Sequence, residues 1–300
     1  WGSGARADFL ASLTNLEALS LFGFTFDSLP PLPELRSLQV SRSQPGDDSY
    51  LGAYPKLESL YVSQPTFTLP PMPRLRSLTV GSLTGELDLS ALGDMPTVTE
   101  VVIHRCKKLT ALPSLGGAPG LKKLKVEFLD SLENVDALEG LPALEDLYIE
   151  VAKVASLPGS WSTLTSLKKL HLRSFLPLAD VAVLGELHQL EDLTLRRTEA
   201  LTALPASWAG LTGLRRLVLS DHAALRDIAV LEKIESLREL VIESCKKVKK
   251  ARVAEATAAV AARSDAVVLD MSYERFMAQG LYADLYGKED SLQTYPFPLS

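Results

Sequence analysis

Three hundred residues, 46% hydrophobic and 23% charged, lie within the globular range and exclude a chain that is disordered throughout. A formal net charge of −6 excludes the global basic field that drives nucleic-acid binding, so no nucleic-acid partner is expected. Charges interrupt every apolar run short of the ~18 residues of a membrane span, and two cysteines, Cys106 and Cys245, are too few to staple a small secreted fold.

The sequence opens on Trp1-Gly-Ser-Gly4, without a charged-then-apolar signal pattern. Neither asparagine, Asn15 or Asn134, is followed two residues later by Ser or Thr, so no glycosylation acceptor exists. Both observations point to a cytoplasmic, intracellular setting. Apart from the apolar Phe9, Leu10 and Leu13, no cap precedes the first repeat.

From Leu16 onward the pattern Leu-x-x-Leu-x-Leu recurs, with occasional Val or Ile at an anchor. It begins at Leu16, Leu35, Leu57, Leu75, Val98, Leu121, Leu144, Leu167, Leu190, Leu214 and Leu237, which makes eleven repeats. The steps are 19, 22 and 18 residues, then 23 or 24 to the end. A single such unit cannot bury its anchors; stacked units bury them in one continuous core. Each unit therefore supplies a short parallel strand to one face and returns along the other as turns, short helix or 3₁₀ structure. Leu29-Pro-Pro-Leu-Pro33 and Leu69-Pro-Pro-Met-Pro73 lack the amide donors of a regular helix, so the early repeats are expected to be tighter and less helical.

The whole pattern over about residues 9 to 250 resembles that of leucine-rich-repeat proteins. The resemblance implies an α/β solenoid, a horseshoe of about eleven repeats with a concave parallel β-sheet and a convex side of mixed helix, 3₁₀ and extended structure. The segment from His104 through Cys106, Leu109 and Leu112-Pro113 to Val126 is similar to repeats of plant intracellular immune receptors, as are Leu157-Pro-Gly-Ser-Trp161 and Leu204-Pro-Ala-Ser-Trp208. That similarity implies the sensor part of such a receptor; no Gly-x-x-x-x-Gly-Lys-Ser/Thr nucleotide-binding loop is present. Bacterial effectors share such repeats.

Past Lys250 the period fails, which divides the chain into a solenoid over 1–250 and a C-terminal cap and tail over 251–300. Ala251 to Arg263 has the composition of a helix, Ala266 to Met271 that of a last strand, and Ser272 can N-cap a second helix through about Tyr286, ended by Gly287. Tyr295-Pro-Phe-Pro-Leu-Ser300 reads as extended.

Several side chains carry potential chemistry. Cys106 and Cys245 occupy the third position after the last anchor, where this repeat type buries a small polar side chain. Six repeats at ~4.8 Å separate them by roughly 30 Å, too far for a disulfide. Trp161 and Trp208 recur at one position of the return path and are expected in the core. Glu17, Arg36, Glu58, Arg76, Thr99, Lys122, Glu145, Lys168, Glu191 and Arg215 alternate in sign, as do Glu100, Lys123, Asp146, Lys169, Asp192 and Arg216. In-register strands turn these into a self-neutralising ladder. The run Lys246, Lys247, Lys249, Lys250 and Arg252 is expected to be a solvated surface.

The outward positions that remain hold Tyr61, His104, Lys125, Tyr148, His171, Arg173 and Arg196, with Glu150 beside them. Aromatic and Arg side chains supply most hot-spot energy at interfaces, and these are expected to lack internal charge compensation. They form the candidate site for a protein partner on the concave face. His104 and His171 lie three repeats apart, so no metal and no cofactor is expected. The reading is a non-enzymatic recognition module; a bacterial effector, a ubiquitin-ligase repeat domain without its catalytic domain, and a structural scaffold remain open, as does the oligomeric state.

Overall fold

A computed structural model describes residues 7–23, 29–46, 49–65, 69–83, 87–115, 118–263 and 267–271. In each Leu-x-x-Leu-x-Leu unit the second and third anchors are two residues apart, so a strand directs both to the same side while the residues between and around them face the other way. The strands are β1 (Ala18–Phe22), β2 (Ser37–Gly46), β3 (Ser59–Pro65), β4 (Ser77–Gly81), β5 (Glu100–His104), β6 (Lys123–Glu127), β7 (Asp146–Glu150), β8 (Lys169–Arg173), β9 (Asp192–Arg196), β10 (Arg216–Ser220), β11 (Glu239–Glu243) and β12 (Val267–Met271). Successive strands pair in parallel, giving one sheet in sequence order. Registers such as Leu124↔Leu147 and Leu147↔Leu170 place anchor beside anchor. The fold is the leucine-rich-repeat solenoid, with the sheet on its concave side.

Central anchors are sealed: Leu124, Leu147, Leu170 and Leu193 are all buried. In β1 the anchors Leu19 and Leu21 are only half-buried; among the described residues they have a neighbouring strand on one side alone. Ahead of β1, a 3₁₀ segment at Ala7–Ser12 sends Leu10 into the core, whereas Leu13 is exposed.

The returns differ as the prolines require. The stretches around Pro30–Pro33 and Pro70–Pro73 contain no helical turn among the described residues. Later returns carry 3₁₀ turns of two alternating kinds. Asp88, Asn134, Asp180 and Asp227 accept a hydrogen bond from the backbone N–H two residues on, at 2.7 to 2.9 Å, and so open the turn. In the intervening repeats Pro158 and Pro205 stand directly before the turns Gly159–Thr163 and Ala206–Gly210 and preset their entry. These proline turns carry Trp161 and Trp208, both fully buried.

The chain must also leave each strand sharply. The residue two beyond the last anchor adopts a left-handed conformation at Gly23, Ser82, Arg105, Phe128, Ser174, Arg197, Asp221 and Ser244. The next position points inward: Cys106 and Cys245 are buried free thiols that donate to the carbonyls of His104 and Glu243. The helix α1 (Lys250–Ala261) follows β11 and packs Ala256 and Val260 into the core. The second helix expected from Ser272 and the extended tail from Tyr295 lie outside the described residues.

Candidate functional site

Strand register places the outward residues in three rows. The row nearest the strand starts reads Glu100, Lys123, Asp146, Lys169, Asp192, Arg216 and Glu239. It behaves as an alternating ladder: Arg216 reaches Asp192 at 3.0 Å and Glu239 at 2.9 Å. Just before the strands, Glu145 sits between Lys122 at 3.2 Å and Lys168 at 2.9 Å. Hydrogen bonds from both lysines hold its carboxyl below the usual carboxylate range. These charges are occupied with one another.

In the middle row Lys125, Tyr148 and His171 are neighbours on β6, β7 and β8. The Lys125 ammonium lies 5.2 Å above the Tyr148 ring, and Tyr148 stacks on His171 with ring centroids 6.1 Å apart. Both contacts are in the range where cation–π and aromatic attraction operate. Tyr148 also donates its hydroxyl to Glu150 at 3.2 Å, and Arg173 approaches the same carboxylate at 3.4 Å. Burial and the Glu150 charge push the Tyr148 phenol well above its ordinary value, so it remains a neutral donor. Burial lowers the His171 imidazole, opposed by Asp192 and Asp146.

Tyr61 belongs to the same row but lies three strands away from Lys125, and its ring packs instead in a tilted contact with His104 of the outer row, with centroids 5.9 Å apart. Both are buried, at 9% and 4% exposure, rather than offered to solvent as the sequence suggested. Gly81, between them on β4, explains this: any Cβ there would overlap the His104 imidazole, so the missing side chain lets the ring lie down across the sheet. Burial, with Arg105 and Lys125 nearby, lowers His104 to about 4 and leaves it neutral at pH 7.

The expectation that these residues lack internal compensation is corrected. Lys125 meets Glu127 at 3.0 Å, Arg173 meets Glu150, and Arg196 meets Asp221 at 3.2 Å. The first two carboxylates stand two residues beyond Lys125 and Tyr148 on the same strand face, while Asp221 arrives from the left-handed turn after β10. With both histidines neutral and the cations paired, the face is a polar aromatic surface rather than a basic one.

Sequence reasoning missed Phe128. It is 47% exposed at the rim of β6, in the left-handed turn position, with the Arg105 guanidinium 5.8 Å from its ring. The other left-handed turns among the described residues hold Ser, Arg, Asp or Gly in that position, so an aromatic ring there stands out. Among the described residues no group of three His, Cys, Asp or Glu side chains is arranged to hold a metal. A shallow groove of about 430 Å³, lined by Glu191, Arg215 and Arg238 among others, lies at the other end of the strands, where the alternating charges leave no comparable aromatic surface.

No family model matches the chain, and no curated protein matches it. Solved structures do. A leucine-rich-repeat protein of Leptospira interrogans is 18% identical, with a TM-score of 0.68 over 89% of this chain and 69% of that one. The leucine-rich-repeat domain of the type III effector XopL is 23% identical, with a TM-score of 0.56 over 68% of this chain and 70% of its own. A chain of the Drosophila Toll–Spätzle complex is 16% identical, with a TM-score of 0.57 over 80% of this chain and 40% of that one. At these identities the likeness is one of fold, and the fold it shares is the leucine-rich-repeat solenoid.

Proposed function

We propose that this chain is a non-enzymatic recognition module that holds a protein partner on its concave face between β5 and β9, with 251–300 closing the solenoid as cap and tail. The observation that carries the reading is the continuous stack of Lys125, Tyr148 and His171, fixed in place by Glu127, Glu150 and Arg173. Such a surface loses little side-chain freedom on binding, and preorganised aromatic and Arg groups are where interface energy concentrates. The exposed Phe128 at its rim adds an apolar anchor. Because the cations already face carboxylates, association should depend only weakly on salt.

The sensor part of an intracellular immune receptor is the finer reading, resting on the Cys106 and Leu-Pro features of the repeats. Among the similar folds, Toll is solved in complex with Spätzle, an example of this architecture engaging a protein. In a cell extract, crosslinking followed by mass spectrometry on the wild type identifies the partner. Titration calorimetry then compares the wild type with the Tyr148→Ala, Arg173→Ala double variant. The expected loss is at least ~2 kcal/mol of binding, with an unchanged circular dichroism spectrum. Wild-type affinity in that variant removes the site from β7 and β8.

A further inference from the structure

Just before the strands, the row of charges stops alternating towards its C-terminal end. Lys122, Glu145, Lys168, Glu191 and Arg215 change sign from repeat to repeat, but the next residue of the row is Arg238. The last three members are neighbours: the Arg215 N–H donates to the Glu191 carbonyl and the Arg238 N–H to the Arg215 carbonyl, both at 2.8 Å. Like charges set side by side cost stability. Among the described residues neither Arg215 nor Arg238 forms an ion pair, although Glu191 adjoins Arg215. A third cation adds to them: Arg238 and Arg263 both donate to the Leu237 carbonyl, at 3.1 and 3.3 Å, so two guanidiniums converge on one oxygen. Burial and the Arg238 charge lower the Arg263 guanidinium, against Glu235. Arg215 and Arg238 also line the groove of about 430 Å³ at the strand starts, with Gln189, Thr212 and Ser236. Glu191 is the single carboxylate among its lining residues; Asp192 and Glu239, nearby on the sheet, are held by Arg216.

We propose that this groove is an oxyanion site that clasps a phosphate monoester between Arg215 and Arg238. The two arginines stand one strand spacing apart, ~4.8 Å at the backbone, and each guanidinium presents a planar fork of donors that can take two oxygens at once. A carboxylate carries one charge and leaves one arginine unbalanced. A phosphate monoester carries about −1.5 to −2 at pH 7 on three acceptor oxygens, so it answers both cations and removes the cost of their adjacency. The Ser236 hydroxyl is committed to the Leu211 carbonyl at 3.1 Å, which leaves the exposed Thr212 as the neutral donor of the groove. Glu191 repels the anion itself and accepts from a hydroxyl or amide on its carrier. A water occupies about 30 Å³ of liquid, so the groove has room for the phosphate and the first atoms of that carrier, whether a small molecule or a side chain. The groove lies at the strand starts, away from the Lys125, Tyr148 and His171 stack, and the proposal stands apart from the partner reading.

Titration calorimetry on the full chain at fixed ionic strength tests the proposal with three probes: inorganic phosphate, glycerol 3-phosphate, and a short phosphoserine peptide beside its unphosphorylated form. A phosphorylated probe should bind at one site and the unphosphorylated peptide should not. Tighter binding of glycerol 3-phosphate assigns a small-molecule carrier, and tighter binding of the phosphopeptide assigns a phosphorylated side chain. Arg215→Gln should weaken the best probe by about tenfold or more, and Glu191→Gln should tighten it by about threefold. Among the described residues the Arg215 side chain makes no hydrogen bond, so its replacement should leave the circular dichroism spectrum unchanged. Arg238 also holds the Glu235 and Leu237 carbonyls, so Arg238→Gln is read only if it folds, and Arg215→Gln decides otherwise. Absence of binding by all three phosphorylated probes overturns the proposal, as does wild-type affinity in Arg215→Gln. A loss of affinity in a Lys246→Gln, Lys247→Gln variant with none in Arg215→Gln would move the anion to the basic run after β11 and equally overturn it.

Discussion

Trp161 and Trp208 occupy equivalent places and are equally buried, yet their indole nitrogens differ. Trp208 Nε1 donates to the Val181 carbonyl at 3.1 Å, whereas Trp161 Nε1 has no hydrogen-bond partner among the described residues. Truncating either to Ala should cost about 3 to 5 kcal/mol, because both rings fill the return-path core. Replacement by Phe separates them: Trp208→Phe should cost about 1 kcal/mol more than Trp161→Phe, the worth of the one bond that only Trp208 makes. Equal midpoints in urea for the two Phe variants would show that the Trp208 bond contributes nothing net. His104 offers a second test at this scale. Its folded value of about 4 lies below the unfolded 6.5, so between those limits the unfolded chain binds more protons and stability falls as the solution is acidified. In a His104→Gln variant that share of the acid sensitivity should vanish, leaving the slope set by carboxylates such as Glu145. The measurement is the difference in unfolding free energy between wild type and variant from pH 7 to pH 4; a constant difference would mean that the ring is solvated in the native state.

Strands and turns repeat with a period of two units, not one. Asx-opened turns at Asp88, Asn134, Asp180 and Asp227 alternate with proline-opened ones, and Lys123, Lys169 and Arg216 alternate with Asp146, Asp192 and Glu239 across the sheet. Neighbouring strands thereby present opposite charge, which favours their side-by-side pairing. The ladder is uneven in strength. Arg216 bridges two carboxylates with its side chain only 17% exposed, so Arg216→Ala should destabilise by about 1 to 3 kcal/mol. Lys168→Ala, at a fully solvated pair, should leave the denaturant midpoint unmoved. Strand positions and the charge ladder were legible in the sequence because the anchor spacing fixes which side each residue faces, and parallel register then fixes its neighbours. The candidate site was less so. The burial of His104 depends on a missing side chain at Gly81 one repeat earlier, and the neutralisation of Arg196 depends on Asp221 in a turn whose direction only the left-handed backbone sets. His222 was missed for a related reason: it fills the inward position held elsewhere by Cys106 and Cys245, bonding Thr198 Oγ1 at 2.7 Å, and an imidazole there breaks the residue pattern while keeping the hydrogen-bonded role.

For the whole molecule, stability is a sum over neighbouring units, so it must vary along the solenoid. Among the described residues β1 has one strand neighbour and half-buried anchors, while β6 to β10 each have two neighbours and anchors closed to solvent. At the other end the core continues through α1, whose Ala256 and Val260 cover the last anchors. Opening should therefore begin at β1 and progress inward, with free energies that rise repeat by repeat until the central units open together. Native-state hydrogen exchange reads this directly. The amides of Ala18–Phe22 should exchange fastest among the strands, those of Asp146–Glu150 and Lys169–Arg173 slowest, with β2 to β5 in graded order between them. The native thiols give an independent check, since each reacts only when its own unit opens. Cys106 lies in the fifth repeat, four repeats from β1, and Cys245 just before α1, so both should label slowly, and added denaturant should accelerate Cys106 first if opening spreads from β1. Uniform protection from β1 to β11 with equal thiol rates would mean that the solenoid unfolds as one cooperative block, and that the contacts between adjacent repeats are stronger than the loss of a neighbour at β1 can offset.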